Sequence, residues 1–472
     1  MGSFYTTPNR TSIALPDKPT YHLIGIGGIG MSAIAQVLHE QGAAVKGSNN
    51  TENEVVRRLR AEGIEVTVGH DAANVDGADI VVYSAAIPDD NPEIVEARRR
   101  GLPLLERPVM LGRVMDPYRR RVAVSGTHGK TTTTSMIDAI LVRAGLDATT
   151  LIGGDVSALG RNARLGSGSI VVAEACEAFG SFLHLRPSIA VITNIDADHL
   201  DYYGTIERIE DGFRQFVKNT DPDGCVIACW DDTRVRKVLD GCGRRVVWFG
   251  LSGSPNIGAV EVDVSRPRPV YTLVRDGEAL GTMELGVPGE QNVVDSLAAA
   301  AVAFELGASF EDVRAGLAGF RGAVRRFDIL FDDRGIMVVD DYAHHPAEIA
   351  ATLRAARSGY GKRIIAVFQP HLYSRTQAFT REFAESLSLA DEVIVTAIYA
   401  ARDLPIEGVS GEDIVRELRS RGFANARYVS DKETLPCELA NTVRDGDMVL
   451  VLGAGDIRQV AERLASELAT RQ

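Results

Sequence analysis

A glycine-rich segment that ends in a lysine and threonines lies between an apolar run and a helix-forming run. It reads Ser125-Gly126-Thr127-His128-Gly129-Lys130-Thr131-Thr132. Backbone N–H groups at such a strand-to-helix turn converge on phosphate oxygens, and the helix dipole adds to the attraction. Lys130 would reach the β- and γ-phosphates of a nucleotide, and the Thr131 hydroxyl would bind Mg²⁺. The usual P-loop has glycine six residues before its lysine, where this chain has Val124, so the segment is interpreted as a shortened P-loop.

The metal of a P-loop nucleotide needs a carboxylate, and two later segments offer one at predicted strand ends. These segments read IVVAEACE and IAVITNIDADHLDYYG. Their candidate ligands are Glu174, Glu177, Asp196, Asp198, His199 and Asp201. Mg²⁺ prefers hard oxygen ligands and keeps few protein contacts, so one or two of these residues suffice.

A second glycine turn occurs about a hundred residues earlier, in YHLIGIGGIG. A Gly-x-Gly-x-x-Gly turn between a strand and a helix predicts a βαβ unit whose backbone approaches a diphosphate. In NAD-binding units an acidic side chain about twenty residues further on binds the adenosine ribose. Here that strand ends in Gly47-Ser48-Asn49-Asn50, and the neutral Asn49 weakens the case for NAD. An NAD-dependent oxidoreductase remains an alternative, although it leaves the P-loop unexplained.

Two polar clusters follow apolar runs in the last third of the chain, in VVDDYAHHPAEI and FQPHLYSRT. Their candidate residues are Asp340, Asp341, Tyr342, His344, His345, His371, Tyr373, Ser374 and Arg375. The adjacent histidines could bind a metal, but with no third ligand nearby polar contacts to a substrate are favoured. Arg375 could pair with a carboxylate or phosphate in a bidentate fork.

Length and composition limit the class of protein. A chain of 472 residues suggests about three domains. The net charge of −13 argues against nucleic acid as a partner. No apolar run approaches the ~20 residues of a membrane span, and the first twenty residues lack the apolar core of a signal peptide, so we expect a cytoplasmic protein. Five cysteines imply no disulfide framework; Cys225, Cys229 and Cys242 are interpreted as free thiols rather than a zinc site, because no histidine lies among them.

The alternation of strand-like and helix-like runs predicts three consecutive α/β blocks. The first holds HLIGIG, AAVKG, IEVTVG, DIVVYSAA and PLLER. The second opens with RVAVSG and continues through IVVAEA, IAVITNI, CVIACW and VVWFG to a more β-rich passage, and the third holds IMVVDDY, RIIAVFQP, DEVIVTAI and DMVLVLGAGD. We place the domains at 1–119, 120–324 and 325–472, with ligands at the carboxyl ends of the strands.

Taken together, these motifs resemble those of the Mur ligases of peptidoglycan precursor synthesis. They are GIGGIGMSAIA, SGTHGKTTTT, EACE with SFLHL, TNIDADHLD, RRF, DDYAHHPAEI and FQPHLYSRT, in that order, over about residues 20–460. The resemblance implies an N-terminal Rossmann-like domain for a UDP-sugar, a central ATPase domain, and a C-terminal Rossmann-like domain that closes over the site. It also implies ATP-dependent attachment of L-alanine to UDP-N-acetylmuramate through an acyl phosphate, with Mg²⁺ as cofactor.

The resemblance also assigns roles to residues. The catalytic set is Lys130, Glu174, His199, Arg326 and His344. The ATP-binding set is Gly126, Thr127, His128, Gly129, Lys130, Thr131, Thr132, Asn292, Arg326 and Asp341. The UDP-sugar set is Gly27, Gly28, Ile29, Gly30, Ser48, Asn49, Ser84 and Arg107. His344 and Arg375 are expected around the muramoyl group and the amino acid. Thr131, Glu174 and His199 are expected as Mg²⁺ ligands.

The chain departs from the family pattern at several positions. Gln291 stands where histidine is common, Cys176 where aspartate is frequent, and Leu372 where many relatives have arginine. Whether Arg325 or Arg326 approaches ATP stays open, as does a monomeric or homodimeric state. Two further alternatives remain at this point: a sister enzyme that attaches a ready-made peptide instead of L-alanine, and a non-catalytic nucleotide sensor.

Overall fold

The computed structural model describes residues 18–156, 161–401 and 403–470, and within them the strands form three sheets. The chain divides into two compact units. The first runs to Val260 and includes Thr272–Gly281 and Val294–Gly319. The second comprises Glu261–Tyr271, Thr282–Val293 and the described residues from Phe320 onward. Each unit is described by itself below.

The first sheet is built by residues 20–106 and is parallel. Its region contains β1 (Thr20–Ile24), α1 (Ile29–Glu40), β2 (Ala44–Asn49), α2 (Glu54–Ala61), β3 (Glu65–Val68), a 3-10 helix (Ala72–Val75), β4 (Ile80–Tyr83), α3 (Pro92–Arg100), β5 (Leu104–Glu106) and α4 (Arg107–Met115). The strand order is β3-β2-β1-β4-β5. The order reverses between β1 and β4, so the crevice at this switch point receives the GIGGIG turn.

The second sheet begins after a short link. Its region contains β6 (Arg120–Ser125), α5 (Lys130–Arg143), β7 (Thr149–Val156), β8 (Arg161–Arg164), β9 (Ile170–Glu174), a 3-10 helix (Ala178–His184), β10 (Ile189–Ile192), α6 (Leu200–Tyr203), α7 (Ile206–Lys218), β11 (Cys225–Cys229), α8 (Thr233–Leu239), β12 (Arg245–Gly250), β13 (Ile257–Asp263), β14 (Val270–Arg275), β15 (Glu278–Glu284), α9 (Glu290–Glu305) and α10 (Phe310–Gly319). The strand order is β15-β14-β13-β12-β11-β10-β6-β9-β7-β8. Because β10, β6 and β9 are parallel neighbours, the segments that follow them meet at one edge of the sheet.

The third sheet lies in the second unit. Its region contains β16 (Asp328–Asp333), β17 (Ile336–Asp341), α11 (Pro346–Tyr360), β18 (Arg363–Phe368), α12 (Tyr373–Leu387), β19 (Glu392–Thr396), α13 (Glu412–Ser420), β20 (Ala426–Val429), a 3-10 helix (Lys432–Thr434), α14 (Leu435–Thr442), β21 (Asp447–Leu452) and α15 (Arg458–Thr470). The order is β16-β17-β21-β18-β19-β20, with β16 antiparallel to β17. Apolar side chains from β18, β21 and the helices on both faces form its two core clusters.

The predicted strands of all three blocks are confirmed, and four more are found. The hairpin of β7 and β8, the edge strand β16 and the short β20 carry no continuous apolar run, which is why the pattern missed them. Cys225 and Cys229 are buried thiols of β11, and burial raises the pKa of each to about 11. Both therefore stay protonated at neutral pH. Within the described ranges, no helix is both long and apolar enough to cross a membrane.

Candidate functional site

The shortened P-loop has the strand-turn-helix geometry that its sequence predicts. β6 ends at Ser125 and α5 begins at Lys130. Two glycines between them adopt φ values of +134° (Gly126) and +82° (Gly129), which favour a residue without a side chain. A Cβ at Gly126 would lie 2.0 Å from the Thr193 hydroxyl, and a Cβ at Gly129 would lie 2.4 Å from a carboxylate oxygen of Asp295. Neighbouring segments therefore leave these two positions no room for a side chain.

The loop is held from one side by the segment after β10. The Thr127 N–H donates to the Asn194 carbonyl at 3.1 Å, and the His128 N–H donates to the Asn194 side-chain oxygen at 2.8 Å. The Thr193 hydroxyl donates to the His128 carbonyl at 2.6 Å. In return the Asp196 N–H donates to the Thr127 hydroxyl at 2.8 Å. These bonds within the protein hold the loop backbone in place without a ligand.

Lys130 is the cation of this loop, and it contacts a carboxylate. Its Nζ donates to the carbonyls of Gly126 and Thr127 at 2.5 and 2.9 Å and to the Glu177 carboxylate at 2.9 Å. The lysine side chain is 15 % exposed and that of Glu177 2 %. Burial by itself would lower the pKa of Lys130, but the nearby carboxylates, chiefly Glu177 and also Glu174, raise it above its ordinary value. The lysine is therefore charged at neutral pH.

The two candidate carboxylates after β9 have different surroundings. Glu174 accepts from the Gly153 N–H of β7 at 2.6 Å and lies near enough to Lys130 to act on its pKa. Glu177 is buried, and its Oε1 has no hydrogen-bond partner in the described part of the chain. Cys176 lies between these two glutamates in the sequence. Burial, and then the charge of Glu177, raise the pKa of its thiol. Cys176 is therefore neutral at neutral pH and is a poor metal ligand in place of aspartate.

The remaining acidic candidates follow β10. His199 adopts a left-handed φ of 53° and precedes α6; its Nε2 lies 3.9 Å from the Asp198 carboxylate. Asp196 lies 3.8 Å from His128 Nε2. The side chain of Asp201 lies outside the described residues. The structure thus brings the loops after β6, β9 and β10 together, as the strand order requires.

The first glycine turn is also formed as predicted. Gly25 has φ +76°, and the N–H groups of Gly25 and Ile26 donate to the Ser48 carbonyl at 2.8 and 3.0 Å. Gly28 caps α1, so the first-turn N–H groups of the helix point into the crevice. The guanidinium of Arg107 lies over the turn, 3.0 Å from where a Cβ of Gly30 would be. A helix N-terminus with an arginine above it is suited to an anion.

Asn49 and Ser84 line the same turn. The Asn49 side chain accepts from the Gly27 N–H at 3.2 Å and donates to the Thr51 carbonyl at 2.8 Å. Both ends of that amide thus stabilise the turn. Ser84 directly follows β4 and its carbonyl accepts from the Ile87 N–H, which sets Ile87 against Gly25.

A buried carboxylate supports the turn from below. Glu93 of α3 is fully buried and contacts His22 at 2.9 Å, His70 at 3.1 Å, Asn74 at 2.7 Å and the Ser48 hydroxyl at 2.7 Å. Burial would raise the pKa of Glu93, but the hydrogen bonds from His22, Asn74 and Ser48 outweigh it and lower the pKa to about 2. No motif in the sequence indicated this network.

We expect Glu93→Gln to lower the free energy of unfolding by about 3 kcal/mol at pH 7. A carboxylate with a lowered folded-state pKa contributes stability above its unfolded pKa, here 4.5, and loses it as the pH falls toward 2. The difference between wild type and variant should therefore shrink between pH 4.5 and pH 2 in urea titrations. Asp89→Asn, on an exposed pair with Arg98, is the control and should change little. A difference independent of pH would contradict the assignment.

In the second unit the guanidinium groups of the two adjacent arginines both lie over the Tyr342 ring, but their polar partners differ. Arg325 donates to the Gly453 carbonyl at 2.6 Å and lies 3.4 Å from the buried Asp340 carboxylate. Arg326 is 30 % exposed, 3.8 Å from Glu348, and its guanidinium lies 5.3 Å from the Tyr342 ring centre. Arg325 is thus held by the interior of its own unit, which favours Arg326 as the arginine for a ligand.

Asp341 is the last residue of β17, His344 and His345 follow it, and the three side chains make different contacts. Asp341 accepts from the Phe327 and Ala343 N–H groups at 2.8 Å each, and burial raises its pKa to about 6. His344 Nδ1 lies 3.0 Å from the Tyr342 carbonyl, and its ring meets His371 edge-on at 5.7 Å. His345 caps α11. The two histidines therefore do not form a pair, and the substrate interpretation suits His344.

The other sequence candidates lie at turns. Arg375 is in the first turn of α12, whose preceding residue, Leu372, has φ 69°. Asn292 is in the first turn of α9 and donates to the Pro288 carbonyl at 2.6 Å. Gln291 packs under Gly289, leaving no space there for a Cβ. The Ser374 N–H and hydroxyl donate to the Asp403 carboxylate at 3.0 and 2.6 Å, so the side chain of Ser374 is structural.

Family profiles match most of the chain. A profile described as Mur ligase family, catalytic domain, matches residues 20–119; the Mur ligase middle domain matches 124–303; and the Mur ligase, glutamate ligase domain matches 325–455. A protein of Trichlorobacter lovleyi named UDP-N-acetylmuramate–L-alanine ligase is 45% identical over 449 residues, covering 95% of this chain and 98% of that protein. The chain belongs to the Mur ligase family.

Two further Mur ligases agree with this. A protein of the same name from Syntrophotalea carbinolica is 45% identical over 452 residues, which is 96% of this chain and 98% of that one. The crystal structure of UDP-N-acetylmuramate-alanine ligase from Thermotoga maritima is 34% identical, with a TM-score of 0.82 over 96% of this chain and 100% of that chain. The predicted α/β fold with three Mur ligase domains is confirmed.

Two residues of this Mur ligase were missed by the sequence interpretation. Asp295, 8 % exposed on α9, has its carboxylate against Gly129 of the P-loop. Asn162, buried on β8, contacts the first turn of α1. Neither lies in a glycine turn or after an apolar strand, so only the packing of distant elements reveals them.

Proposed function

We propose that this Mur ligase joins L-alanine to UDP-N-acetylmuramate, with ATP as the source of energy. The supporting observation is that one unit holds two separate phosphate cradles, each formed by a glycine turn at the N-terminus of a helix. The relatives with this named activity align over nearly the whole chain. A single nucleotide would need one cradle, whereas a ligase that activates a nucleotide sugar with ATP needs two.

The chemistry explains why ATP is needed. A carboxylate is a poor acyl donor because oxide is a poor leaving group. An oxygen of the muramoyl carboxylate attacks the γ-phosphorus of ATP, forming an acyl phosphate and releasing ADP. The amine of L-alanine then attacks the carbonyl carbon, and the tetrahedral intermediate expels phosphate and loses a proton. The protein's task is mainly positioning and cationic stabilisation of the phosphoryl group.

We assign Lys130 to the phosphoryl oxygens and Gly126–Thr132 to the phosphates of ATP. Gly27, Gly28, Ile29 and Gly30, with Arg107, would hold the diphosphate of the UDP-sugar. Thr131 and Glu174 would hold Mg²⁺, since both offer hard oxygen atoms beside the P-loop lysine. When bound, the ion neutralises charge on the β- and γ-phosphate oxygens. The resemblance adds His199 as a ligand of a second Mg²⁺, although an imidazole is a less typical ligand for this ion.

In the second unit, Arg326, Asn292 and Asp341 are proposed contacts of ATP, and His344 and Arg375 of the substrate carboxylates. Each carboxylate oxygen of Asp341 accepts one backbone hydrogen bond and keeps a lone pair that can accept from a ribose hydroxyl. The boundaries at 119/120 and 324/325, the cytoplasmic location and the monomeric or homodimeric state stay part of the proposal.

The function is tested by phosphate release from ATP. We expect release to require both UDP-N-acetylmuramate and L-alanine, with an amide product of the corresponding mass. Glycine, L-serine and the tripeptide L-alanyl-γ-D-glutamyl-diaminopimelate are the comparison acceptors. A higher kcat/KM with the tripeptide would replace the proposal by the peptide-attaching activity. Tight NADH binding in calorimetry, without binding of UDP-N-acetylmuramate, would reject both.

A further inference from the structure

Asn162 lies on the hairpin of β7 and β8, and it contacts the helix that carries the first glycine turn. Its side chain is fully buried. Its Nδ2 donates to the Ile29 carbonyl in a short hydrogen bond and to the Ser32 hydroxyl at 2.9 Å. Its Oδ1 accepts from the Arg58 guanidinium at 3.4 Å. Because a guanidinium offers only donors, Arg58 fixes which end of the amide faces Ile29.

The Ile29 carbonyl belongs to the same peptide unit as the Gly30 N–H. That N–H is in the first turn of α1, where backbone donors have no partner within the helix. The Arg107 guanidinium lies against Gly30. The Ser32 hydroxyl also donates to the Ile29 carbonyl, at 2.9 Å, so two side-chain donors act on one carbonyl. Hydrogen bonds to a carbonyl polarise the amide and strengthen its N–H as a donor.

We infer that Asn162 is a positioning residue for the UDP-sugar diphosphate. Its hydrogen bond to the Ile29 carbonyl orients and polarises the Ile29–Gly30 peptide. The Gly30 N–H is thereby directed toward the anion site before the ligand binds. This inference rests on the proposed function, because it takes the ligand of the first turn to be a nucleoside diphosphate. It adds a residue from the second α/β block to a cradle that the first block otherwise forms alone.

The hairpin that carries Asn162 also contacts the second cradle. On β7, the Gly153 N–H donates to Glu174, the carboxylate proposed for Mg²⁺. One short two-stranded element thus contacts the peptide proposed for the sugar diphosphate and the carboxylate proposed for the ATP metal. A displaced Asn162 is therefore expected to affect the first cradle directly, while Glu174 keeps its own backbone bond.

The test is Asn162→Leu, which keeps the branch at Cγ but removes both the amide donor and the amide acceptor. We expect the Kd for UDP in calorimetry to rise about tenfold, whereas the Kd for ATP stays within about twofold of wild type. The affinity for uridine, measured by saturation-transfer NMR, should not change, because uridine has no diphosphate. If Asn162→Leu fails to fold, Asn162→Ala replaces it with the same expectations.

Tyr118→Phe is the matched control, because it removes a polar link at the opposite end of the same helix. The Tyr118 hydroxyl contacts Thr149 of β7 at 2.9 Å and accepts from Gln41, at the end of α1, at 3.4 Å. Its UDP affinity should equal that of wild type. Unchanged UDP affinity in the Asn162 variants, equal losses for UDP and uridine, or an equal loss in Tyr118→Phe would each overturn the inference. A wild-type chain that binds no UDP-N-acetylmuramate would instead reject the proposed function.

Discussion

Lys130→Ala is expected to reduce kcat at least about 10³-fold while leaving the affinity for UDP-N-acetylmuramate unchanged. The lysine is the cation of the P-loop, and a missing cation at the transferred phosphoryl group costs about 4 kcal/mol of transition-state stabilisation. The sugar nucleotide should bind as before because its proposed cradle is formed by other residues. Turnover is measured by phosphate release, and binding by calorimetry in the same preparation.

The same substitution has a structural cost that must be separated from catalysis. It leaves the buried Glu177 carboxylate without its cation, and an unpaired buried charge costs about 3 kcal/mol of stability. Adding Glu177→Gln should restore part of the stability but none of the turnover. Lys218→Ala, on an exposed lysine at the end of α7, should leave both nearly unchanged. Turnover that recovers together with stability would show that the lysine is only structural.

Glu174→Gln is expected to lower kcat about 10²-fold at moderate Mg²⁺ and to raise the Mg²⁺ concentration needed for half-maximal rate. A neutral amide oxygen is a weaker ligand for a hard cation than a carboxylate. The variant can still accept the Gly153 N–H through its amide oxygen, so its melting temperature should remain near that of wild type. The measurement is the initial rate across a Mg²⁺ titration.

Glu177→Gln decides between the two carboxylates that the sequence left open. It should destabilise the protein, because Lys130 loses its buried partner, without a comparable change in the Mg²⁺ requirement. Glu207→Gln, on an exposed carboxylate near the start of α7, serves as the control. If the Mg²⁺ requirement moves with Glu177 and not with Glu174, the metal assignment passes to Glu177.

The sequence predicted most of what local patterns encode. Continuous apolar runs marked the central strands, because a parallel sheet buries both faces, and the two glycine turns marked the strand ends where phosphates bind. The hairpin of β7 and β8 was not predicted because Thr149, Thr150 and Asn162 are polar yet buried. Each of them forms a hydrogen bond with a residue that is distant in the chain. In the sequence such buried polar residues cannot be distinguished from exposed ones until their partners are known.

The type of site could be predicted from the sequence, but the pairing and direction of its side chains could not. Motif spacing placed Lys130 and the carboxylates on neighbouring loops, yet it could not show that Glu177 is the carboxylate paired with the lysine. Likewise, Arg325 and Arg326 are adjacent and chemically identical in the sequence. Both guanidinium groups lie over the Tyr342 ring, and only their polar partners separate them: the Gly453 carbonyl for Arg325 and the Glu348 carboxylate for Arg326. Side-chain direction depends on backbone angles and contacts that no short pattern records.

The bonds between the P-loop and the segment after β10 have a consequence for protein engineering. A full-length P-loop wraps the phosphates with its own backbone, but this shortened one takes its shape from Thr193, Asn194 and Asp196. Transplanting Gly126–Thr132 alone into another α/β scaffold should therefore give a flexible turn that binds nucleotide poorly. The portable module consists of two strand ends, and a designer would have to move both together with the pairing of β6 and β10 that aligns them.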